Sequence, residues 1–377
     1  MGSSNPLEIG IAGAGSAGLF LALLLQERGH HVSLFERSAQ LRCEGCGILV
    51  VPAGLEAIAA SGQPDVLDAF LQAGTPVSNF VLRNLRGDLI NTSPAAGEPD
   101  ELPALLIHRQ AIMRVLADHL RPGSFRGGAE VLSWRQDAAG VEVVLANGEG
   151  WRGDLLIGAD GIFSKLAPLV APERRLNYLG DRVWRGVVPD DEFCVDGEFF
   201  VYARGRGVYA NAFDLGLNAD GVAITHWGLF HEEPLPAERA EQQRLLREEV
   251  PEQALAKLPR DLARIIRSTP REQLVANWSF DIDPLPRIVQ GRVALIGDAA
   301  HAMSSSQARG MTSGWEDGVE LARQLELHQT GETRVHDALA AYQEVRLPLV
   351  HQRQATSRQV SAKVGRQRKP QVLARAA

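Results

Sequence analysis

IGIAGAGSAGL, residues 9–19, and VSLFE, residues 32–36, are the two segments that decide the fold. The first is an apolar run that ends in the spacing Gly-x-Gly-x-x-Gly, and a leucine-rich stretch typical of a helix follows it. The second is an apolar run that ends in an acidic residue. A strand, a glycine-rich turn, a helix and a second strand in this order predict a Rossmann βαβ unit that binds a dinucleotide.

Each residue of the turn has a physical task in such a unit. Gly13 permits the tight turn, Gly15 lets the backbone approach a diphosphate, and Gly18 lets the helix pack closely on the strand. The helix N-terminus then faces the phosphates with unpaired N–H groups. Glu36 is expected to bind a ribose hydroxyl, and its charge disfavours a 2′-phosphate there, which leaves FAD or NAD as the nucleotide. The cofactor-binding residues predicted from this unit are Gly13, Gly15, Ser16, Ala17, Gly18, Glu36 and Arg37.

Two further apolar runs end in a carboxylate. Residues 154–164 read DLLIGADGIFS and place Asp160 at the end of one predicted strand. Residues 292–301 read RVALIGDAAH, place Asp298 at the end of another, and lead towards a predicted helix over residues 310–325. Ligands of open α/β sheets collect at the carboxyl ends of the strands, so both acids are expected to lie near the nucleotide.

In their order and separation, these segments resemble the flavoprotein monooxygenases of the aromatic hydroxylase type, the group A enzymes related to para-hydroxybenzoate hydroxylase. The resemblance extends from residue 7 to about residue 353. It implies FAD as the cofactor, with Asp298 at the ribityl chain and Asp160 in support of the phosphate-facing loop. The further cofactor-binding residues that it implies are Arg42, Arg109, Gly297, Gly310, Met311 and Thr312.

The chain departs from the family pattern at two places. Ala167 stands where the Asp-Gly segment of the family usually carries an arginine, and Lys165 is the nearest cation. In the loop after the Gly-Asp segment, Ser305 replaces a proline, Ala308 a glycine and Thr312 an asparagine. Because this loop passes the reactive edge of the flavin in the family, the changes leave the substrate and the reaction subtype open.

The resemblance implies hydroxylation of a small, mainly apolar aromatic substrate. NADH or NADPH would reduce FAD, O₂ would add to form a C4a-hydroperoxyflavin, and one oxygen atom would pass to the substrate. The catalytic candidates are Arg185, a cation that needs a partner if it is buried, and His301, a proton relay or a packing residue. Epoxidation, oxidative decarboxylation and isoprenoid reduction stay open on the same scaffold. A flavin-binding protein without turnover is a further alternative.

The spacing of the motifs predicts an α/β fold, with a Rossmann-type FAD-binding domain and an inserted α+β substrate domain built on a mostly antiparallel sheet. The FAD-binding domain is assigned to residues 6–74, 103–180 and 280–330, and the substrate domain to residues 75–102 and 181–279. Residues 331–377 are expected to form a C-terminal helix, broken at Pro348, and a basic tail. Residues 237–266, rich in Glu, Arg and Leu, are predicted to be helical.

The substrate pocket is expected between the antiparallel sheet and the flavin. Strand patterns and aromatic content single out its candidate lining residues. These are Trp184, Arg185, Tyr209, Asn211, Phe213, Trp227 and residues 303–311.

Composition disfavours several classes of protein. The chain has 377 residues, 45% hydrophobic and 23% charged, which is typical of a globular enzyme with a large core. A net charge of -7 disfavours nucleic acid as a partner, and no apolar run is long enough for stable membrane insertion. The first residues lack the regions of a signal peptide, so a cytoplasmic location is expected. The protein is expected to be a monomer or a homodimer, and the sequence leaves the choice open.

The chain's 3 cysteines are too few for a disulfide framework. Cys43 and Cys46 form a C-x-x-C pair after the second strand, but no second pair of ligands stands at zinc spacing, so no metal site is predicted. Reduced thiols are expected, and a redox or flavin-linked role for this pair stays open.

Overall fold

The computed structural model describes residues 6–41, 45–95, 101–218, 220–331, 333–363 and 371–372. The strands in these residues are β1 (Glu8–Ala12), β2 (His31–Glu36), β3 (Gly47–Val50), β4 (Gly74–Pro76), β5 (Asn79–Arg83), β6 (Leu89–Pro94), β7 (Leu105–His108), β8 (Phe125–Gly127), β9 (Val131–Gln136), β10 (Val141–Leu145), β11 (Gly150–Gly153), β12 (Leu155–Gly158), β13 (Leu176–Pro189), β14 (Glu198–Gly205), β15 (Val208–Leu217), β16 (Ala223–Glu232), β17 (Val275–Ile282), β18 (Val289–Gln290), β19 (Val293–Leu295) and β20 (Gln371–Val372). The helices are α1 (Ser16–Glu27), α2 (Pro52–Ala59), α3 (Pro64–Ala73), α4 (Arg109–Asp118), α5 (Ala167–Val170), α6 (Arg239–Leu245), α7 (Glu252–Leu255), α8 (Arg260–Ser268), α9 (Asp298–His301), α10 (Gly310–Gln329) and α11 (Val335–Lys363), with 3₁₀ turns at Arg271–Gln273 and Ser305–Gln307.

The first sheet has the strand order β18-β19-β12-β1-β2-β8. Its members from β19 to β8 run parallel, and β18 is antiparallel to β19. The carboxyl ends of β1, β12 and β19 therefore meet at one edge, where Ala12 pairs with Gly158 and Gly158 with Leu295. This edge collects the glycine-rich turn and both carboxylate segments, as expected for a Rossmann sheet.

Two helices lie close together behind that edge. α1 is buried from Gly18 to Gln26. α10 approaches it through glycines: a Cβ on Gly314 would lie 3.0 Å from Ala17 Cβ, and a Cβ on Gly318 would lie 3.4 Å from Leu24 Cδ1. The small residues let α10 hold the Gly-Asp turn against the N-terminus of α1.

The large second sheet has the order β17-β13-β16-β15-β14-β5-β6, and β20 pairs with β13. All its pairs are antiparallel except the parallel pair of β14 with β5. One face packs on α7 and α8 to form a separate hydrophobic core. Two small sheets, β3-β7-β4 and β11-β10-β9, complete the described strands. The predicted α/β class, with a Rossmann sheet and a mostly antiparallel second sheet, is confirmed.

Two helix predictions need correction. Residues 237–266 form three short helices, α6, α7 and α8, because Pro251 and Pro259 each stand at the N-cap of the next helix. α11 is continuous from Val335 to Lys363 and is not broken at Pro348. Contacts on both sides of Pro348 hold the helix together: Arg346 donates to Asp317, and Gln354 donates to the Ile282 carbonyl.

In the part of the chain that the structure describes, no helix is both long and apolar enough to cross a membrane. No group of three or more His, Cys, Asp or Glu side chains among these residues is arranged to hold a metal ion.

Candidate active site

The glycine-rich turn has the geometry that a diphosphate requires. Gly13 has φ of +106°, and a Cβ there would lie 2.4 Å from the Ala159 carbonyl oxygen. A Cβ on Gly18 would lie 2.0 Å from the Gly13 oxygen, whereas a Cβ on Gly15 meets nothing within 4 Å. No side chain caps the N-terminus of α1, which begins at Ser16. The turn thus leaves open space in front of helix N–H groups, and this fits the phosphates of FAD.

Glu36 ends β2 beside this turn. Its carboxylate accepts hydrogen bonds from the Ala14 N–H at 3.1 Å and from the Ser38 N–H at 3.0 Å. Each oxygen keeps a lone pair for a ribose hydroxyl. Arg37 is exposed next to it, and Arg42 lies outside the described residues.

Asp160 stabilises the neighbouring loop. Its carboxylate accepts from the Ser164 hydroxyl at 2.5 Å and from the N–H groups of Lys165 at 2.8 Å and Leu166 at 3.3 Å. The Lys165 ammonium pairs with Glu130 at 2.9 Å, and Ala167 is fully buried. Neither position therefore offers a free cation to the cofactor.

Asp298 begins α9, directly after Gly297, which has φ of +58°. The side chain is exposed to the cavity that it lines. The surrounding protein atoms desolvate this carboxyl and raise the pKa of Asp298 above its usual value, while attraction to His301, Arg174 and Arg109 opposes the rise. A carboxylate at this point fits the hydroxyls of a ribityl chain.

His301 lies behind the Gly-Asp turn and is 1% exposed. Its Nε2 is 2.5 Å from Asp317 Oδ2, and the same carboxylate accepts from the Gly297 N–H at 2.9 Å and from Arg346 Nε at 2.8 Å. Burial alone raises the pKa of Asp317, but attraction to His301 and Arg346 outweighs it and lowers the pKa to about 2. The structure does not bring His301 to the cavity, and a proton relay through it stays a prediction.

A cavity of about 590 Å³ lies between the second sheet and the Gly-Asp turn. Its floor is one face of the sheet, its wall is β3, and its roof is the segment from Met303 to Met311. The lining residues are Gly47, Ile48, Leu49, Val51, Phe80, Arg185, Phe199, Val201, Arg204, Tyr209, Asn211, Phe213, His226, Phe230, Asp298, Met303, Ser304, Ser305, Ser306, Gln307, Ala308, Gly310, Met311 and Ser361.

Strand pairing explains the composition of this floor. Arg185 pairs with Gly228, and Gly228 pairs with Asn211, so these three form one row across the sheet. A Cβ on Gly228 would lie 2.7 Å from Asn211 Oδ1. The glycine therefore makes room between the Arg185 guanidinium and the Asn211 amide.

Two predicted pocket residues, Trp184 and Trp227, do not line the cavity. Both are fully buried in the second core, where their indole N–H groups donate to the Glu248 carbonyl and the Thr269 hydroxyl. Neighbours along a strand point to opposite faces of the sheet. Arg185, next to Trp184, therefore faces the cavity, and so does His226, the residue before Trp227 on β16.

That neighbour, His226, is a cavity residue that the sequence analysis missed. Its Nδ1 accepts a hydrogen bond from the Gly47 N–H at 3.1 Å, and its ring lies 4.3 Å from the Phe213 ring. Burial, together with the positive charge of Arg185, lowers the pKa of His226 well below its usual value. The imidazole is neutral, with its proton on Nε2. The available signal was its position next to Trp227 on one strand, since strand neighbours face opposite sides of a sheet.

The two arginines of the cavity differ in their partners. Arg204 makes a bidentate pair with buried Asp181, both distances being 3.0 Å. Arg185 donates to the neutral Asn277 oxygen at 2.5 Å, and its guanidinium lies 5.5 Å from the centre of the Phe230 ring. Among the described residues, no carboxylate pairs with Arg185. The cavity thus contains one arginine with a balanced charge and one without.

The roof of the cavity carries the departures from the family pattern. Ala308 has φ of +52°, a left-handed conformation that costs a non-glycine residue about 1–2 kcal/mol. The Ser304 hydroxyl lies 2.6 Å from that of Ser361 and 3.1 Å from that of Ser357, and Ser357 donates back to the Ser304 carbonyl. Hydrogen bonds to α11 therefore hold this loop.

The remaining predicted cofactor residues divide into two groups. Gly310 and Met311 line the cavity. Thr312 is 1% exposed, and a Cβ on Gly54 of α2 would lie 2.9 Å from its hydroxyl oxygen. The structure therefore places Thr312 against α2 and outside the cavity.

Arg109 and the cysteine loop lie near the wall. Arg109 begins α4, and its N–H donates to the Cys46 carbonyl at 2.9 Å. Cys46 is buried, and burial raises the pKa of its thiol despite the charges of Arg185 and Arg109. Cys43 lies outside the described residues.

A phosphate-binding turn and acidic side chains at the ends of parallel strands, next to an aromatic cavity, define a Rossmann-type flavoprotein oxidoreductase. The chain belongs to the FAD binding domain family, whose model matches residues 7–357. Together with relatives that are FAD-dependent urate hydroxylase and salicylate hydroxylase, this family assignment confirms the predicted resemblance to flavin-dependent aromatic hydroxylases and identifies the protein as an enzyme of the FAD-dependent monooxygenase class.

Several relatives support this assignment. The chain is 31% identical to aurachin C monooxygenase/isomerase of Stigmatella aurantiaca, over 90% of this chain and 85% of the relative. It is 29% identical to salicylate hydroxylase of Pseudomonas putida, over 93% and 84% of the two chains. The crystal structure of Klebsiella pneumoniae HpxO complexed with FAD and uric acid superposes with a TM-score of 0.82 at 25% identity, covering 95% of this chain and 88% of that one.

Proposed function

We propose that the protein uses NADH or NADPH and O₂ to hydroxylate a small, mainly apolar aromatic substrate. The observation that carries the proposal is the cavity itself. Its floor presents the rings of Phe80, Phe199, Tyr209, Phe213 and Phe230, and it opens directly on Asp298 and the roof segment. Flat aromatic ligands pack well on such rings, whose edge and face contacts add to apolar burial.

FAD fits the adjacent cleft, as the open space at Gly15 and the positions of Glu36 and Asp298 indicate. When bound, it supplies electron transfer from the nicotinamide and activation of O₂. The chain's own contribution is to orient the substrate ring next to the flavin and to exclude water from the reacting atoms.

Arg185 supports a substrate with an acidic or hydrogen-bonding oxygen. A guanidinium in an apolar surrounding without a carboxylate partner favours a ligand that provides one. Neutral His226 and the Asn211 amide line the same floor and add polar contacts without charge. The proposed substrate is therefore an aromatic ring that carries a phenolic, enolic or carboxylic oxygen.

The test is a panel of phenols, aminoaromatics and aromatic acids, measured for stimulated NAD(P)H consumption and for incorporation of oxygen from ¹⁸O₂. We expect stimulation with one ¹⁸O atom in the product. Arg185→Gln should raise the ligand concentration for half-maximal stimulation by roughly ten- to a hundredfold and leave FAD bound.

Arg264→Gln is the control, because Arg264 pairs with Asp190 and does not line the cavity. If every ligand gives hydrogen peroxide alone, hydroxylation is wrong. An epoxide, a decarboxylated product or a reduced alkene would identify one of the alternative chemistries.

The same proposal includes a cytoplasmic location and a monomeric or homodimeric state. Cell fractionation and light scattering of the purified protein measure these two properties directly.

A further inference from the structure

The diphosphate end of the cleft has an unusual balance of charge. Glu36, Asp160 and Asp298 surround the glycine-rich turn, and the diphosphate of FAD adds two more negative charges. The N-terminus of α1 offsets about half an elementary charge. Lys165 is paired with Glu130, and Ala167 carries no charge. A cation at this end would offset part of the negative charge.

Arg174 is placed to supply it. It lies between α5 and β13, and its guanidinium Nη2 donates to the Ile162 carbonyl, two residues beyond Asp160. The Cα of Asp160 would lie 2.9 Å from a Cβ on Gly13. The hydrogen bond therefore attaches the guanidinium to the loop that packs on the glycine-rich turn.

The bonding of this guanidinium is incomplete. Arg174 is half-buried, and its Nε is buried without a hydrogen-bond partner among the described residues. No carboxylate in the described part of the chain forms an ion pair with it. Burial lowers the pKa of Arg174, while attraction to Asp160 and Asp298 opposes the change, so the guanidinium lies in the field of both motif acids. A buried donor without a partner is unfavourable, and an anion that accepts a hydrogen bond from it would remove this cost.

Neighbouring cations do not share these properties. Arg175, the next residue, is exposed. Arg109 begins α4, and its backbone N–H donates to the Cys46 carbonyl. Arg287 donates through Nε to the Val170 carbonyl at 2.7 Å. Arg174 alone among these four combines burial, a missing partner and contact with the Asp-Gly loop.

We propose that Arg174 binds the diphosphate of FAD and supplies the positive charge that the Asp-Gly segment lacks at Ala167. Its planar N–H donors suit phosphate oxygens. The hydrogen bond from Nη2 to the Ile162 carbonyl orients the guanidinium before the cofactor binds. The cation thus comes from the chain after α5, at a different position from the family arginine.

The experiment compares Arg174→Gln, Arg174→Lys and the matched control Arg175→Gln in the full chain. Apoprotein is titrated with FAD and, separately, with riboflavin, which has the same ring system but no phosphate. Flavin fluorescence gives the dissociation constants. We expect Arg174→Gln to weaken FAD binding roughly ten- to a hundredfold and to leave riboflavin binding unchanged. Arg174→Lys should recover part of the affinity, and Arg175→Gln should bind FAD like the wild type.

Three results would overturn the proposal. The first is an unchanged FAD dissociation constant in Arg174→Gln. The second is an equal loss for FAD and riboflavin with a lower unfolding midpoint of the apoprotein, which marks a structural role. The third is normal FAD binding with weaker binding of NADH or NADPH to the FAD-loaded variant, which assigns Arg174 to the nicotinamide dinucleotide. None of these readouts depends on turnover, so the proposal stands or falls independently of the substrate.

Discussion

The two ends of the cleft are built in different ways. At the diphosphate end, the turn from Gly13 to Gly18 and the loops with Asp160 and Asp298 follow adjacent parallel strands. Backbone geometry determines the shape of this end. At the substrate end, side chains of β5, β13, β14, β15 and β16 form one face of an antiparallel sheet. A short motif can encode the first arrangement, whereas the second exists only once distant strands have paired.

The ends also differ in how their charges are held. Asp317 fixes the diphosphate end from behind through Gly297, His301 and Arg346. Arg185 at the substrate end has a neutral partner. The Gly-Asp turn is therefore held by an internal network of hydrogen bonds, whereas Arg185 leaves a charge available to the substrate.

The largest expected effect comes from removing the buried carboxylate of Asp317. Asp317→Asn should lower the free energy of unfolding by about 3–5 kcal/mol, because the fully buried network of Gly297, His301 and Arg346 loses its central carboxylate and Arg346 keeps only Glu316 as a carboxylate partner. Chemical denaturation measures the change. Asp337→Asn, which breaks an exposed pair with Arg334, should change the free energy of unfolding far less, because water and salt screen the pair. Equal losses in the two variants would contradict a special role for the buried network.

The loss should depend on pH. The pKa of Asp317 is lowered from 3.8 to about 2, so its contribution to stability is complete above pH 3.8 and disappears as the pH falls towards 2. The difference in unfolding free energy between wild type and Asp317→Asn should therefore shrink over this interval.

The difference between the ends also explains what the sequence could predict. The glycine spacing, Glu36 and the two acidic strand ends are local patterns, so the Rossmann sheet and the FAD-binding class followed from them. Trp184 and Trp227 were assigned to the pocket because they are aromatic, although their neighbours face it. The choice between the two faces depends on which one packs against α7 and α8, and no local pattern contains that information.

The cavity roof shows a second limit of this kind. The sequence identifies Ser305 and Ala308 as departures from the family, but not their effect. The structure keeps a left-handed backbone at Ala308 and secures the loop through Ser304, Ser357 and Ser361. Ser357 and Ser361 lie on α11, more than fifty residues further along the chain than Ser304, so their contact with the loop exists only in the folded protein.

A second prediction separates backbone geometry from ligand space at the diphosphate end. Gly13→Ala introduces a clash with the Ala159 oxygen at a positive φ, and it should lower apoprotein stability by about 1–3 kcal/mol and weaken FAD binding. Gly15→Ala meets no protein atom within 4 Å, so apoprotein stability should stay unchanged while FAD affinity falls roughly tenfold or more. Thermal unfolding of the apoproteins and FAD titration measure both quantities. Tight FAD binding by Gly15→Ala would show that the phosphates lie elsewhere.

The smallest expected effect tests whether Thr312 belongs to the cavity. Thr312 stands at the family's flavin-facing asparagine, yet its buried hydroxyl has no hydrogen-bond partner among the described residues and lies against α2. Thr312→Val removes an unpaired polar group and should change the unfolding free energy by less than about 1 kcal/mol. FAD affinity should change by less than about threefold, because the hydroxyl lies outside the cavity. A threefold change is about half of the 1.4 kcal/mol of binding free energy that corresponds to a tenfold change. A tenfold weaker FAD complex would show instead that the hydroxyl turns to the flavin on binding, and the cavity would then extend to Thr312.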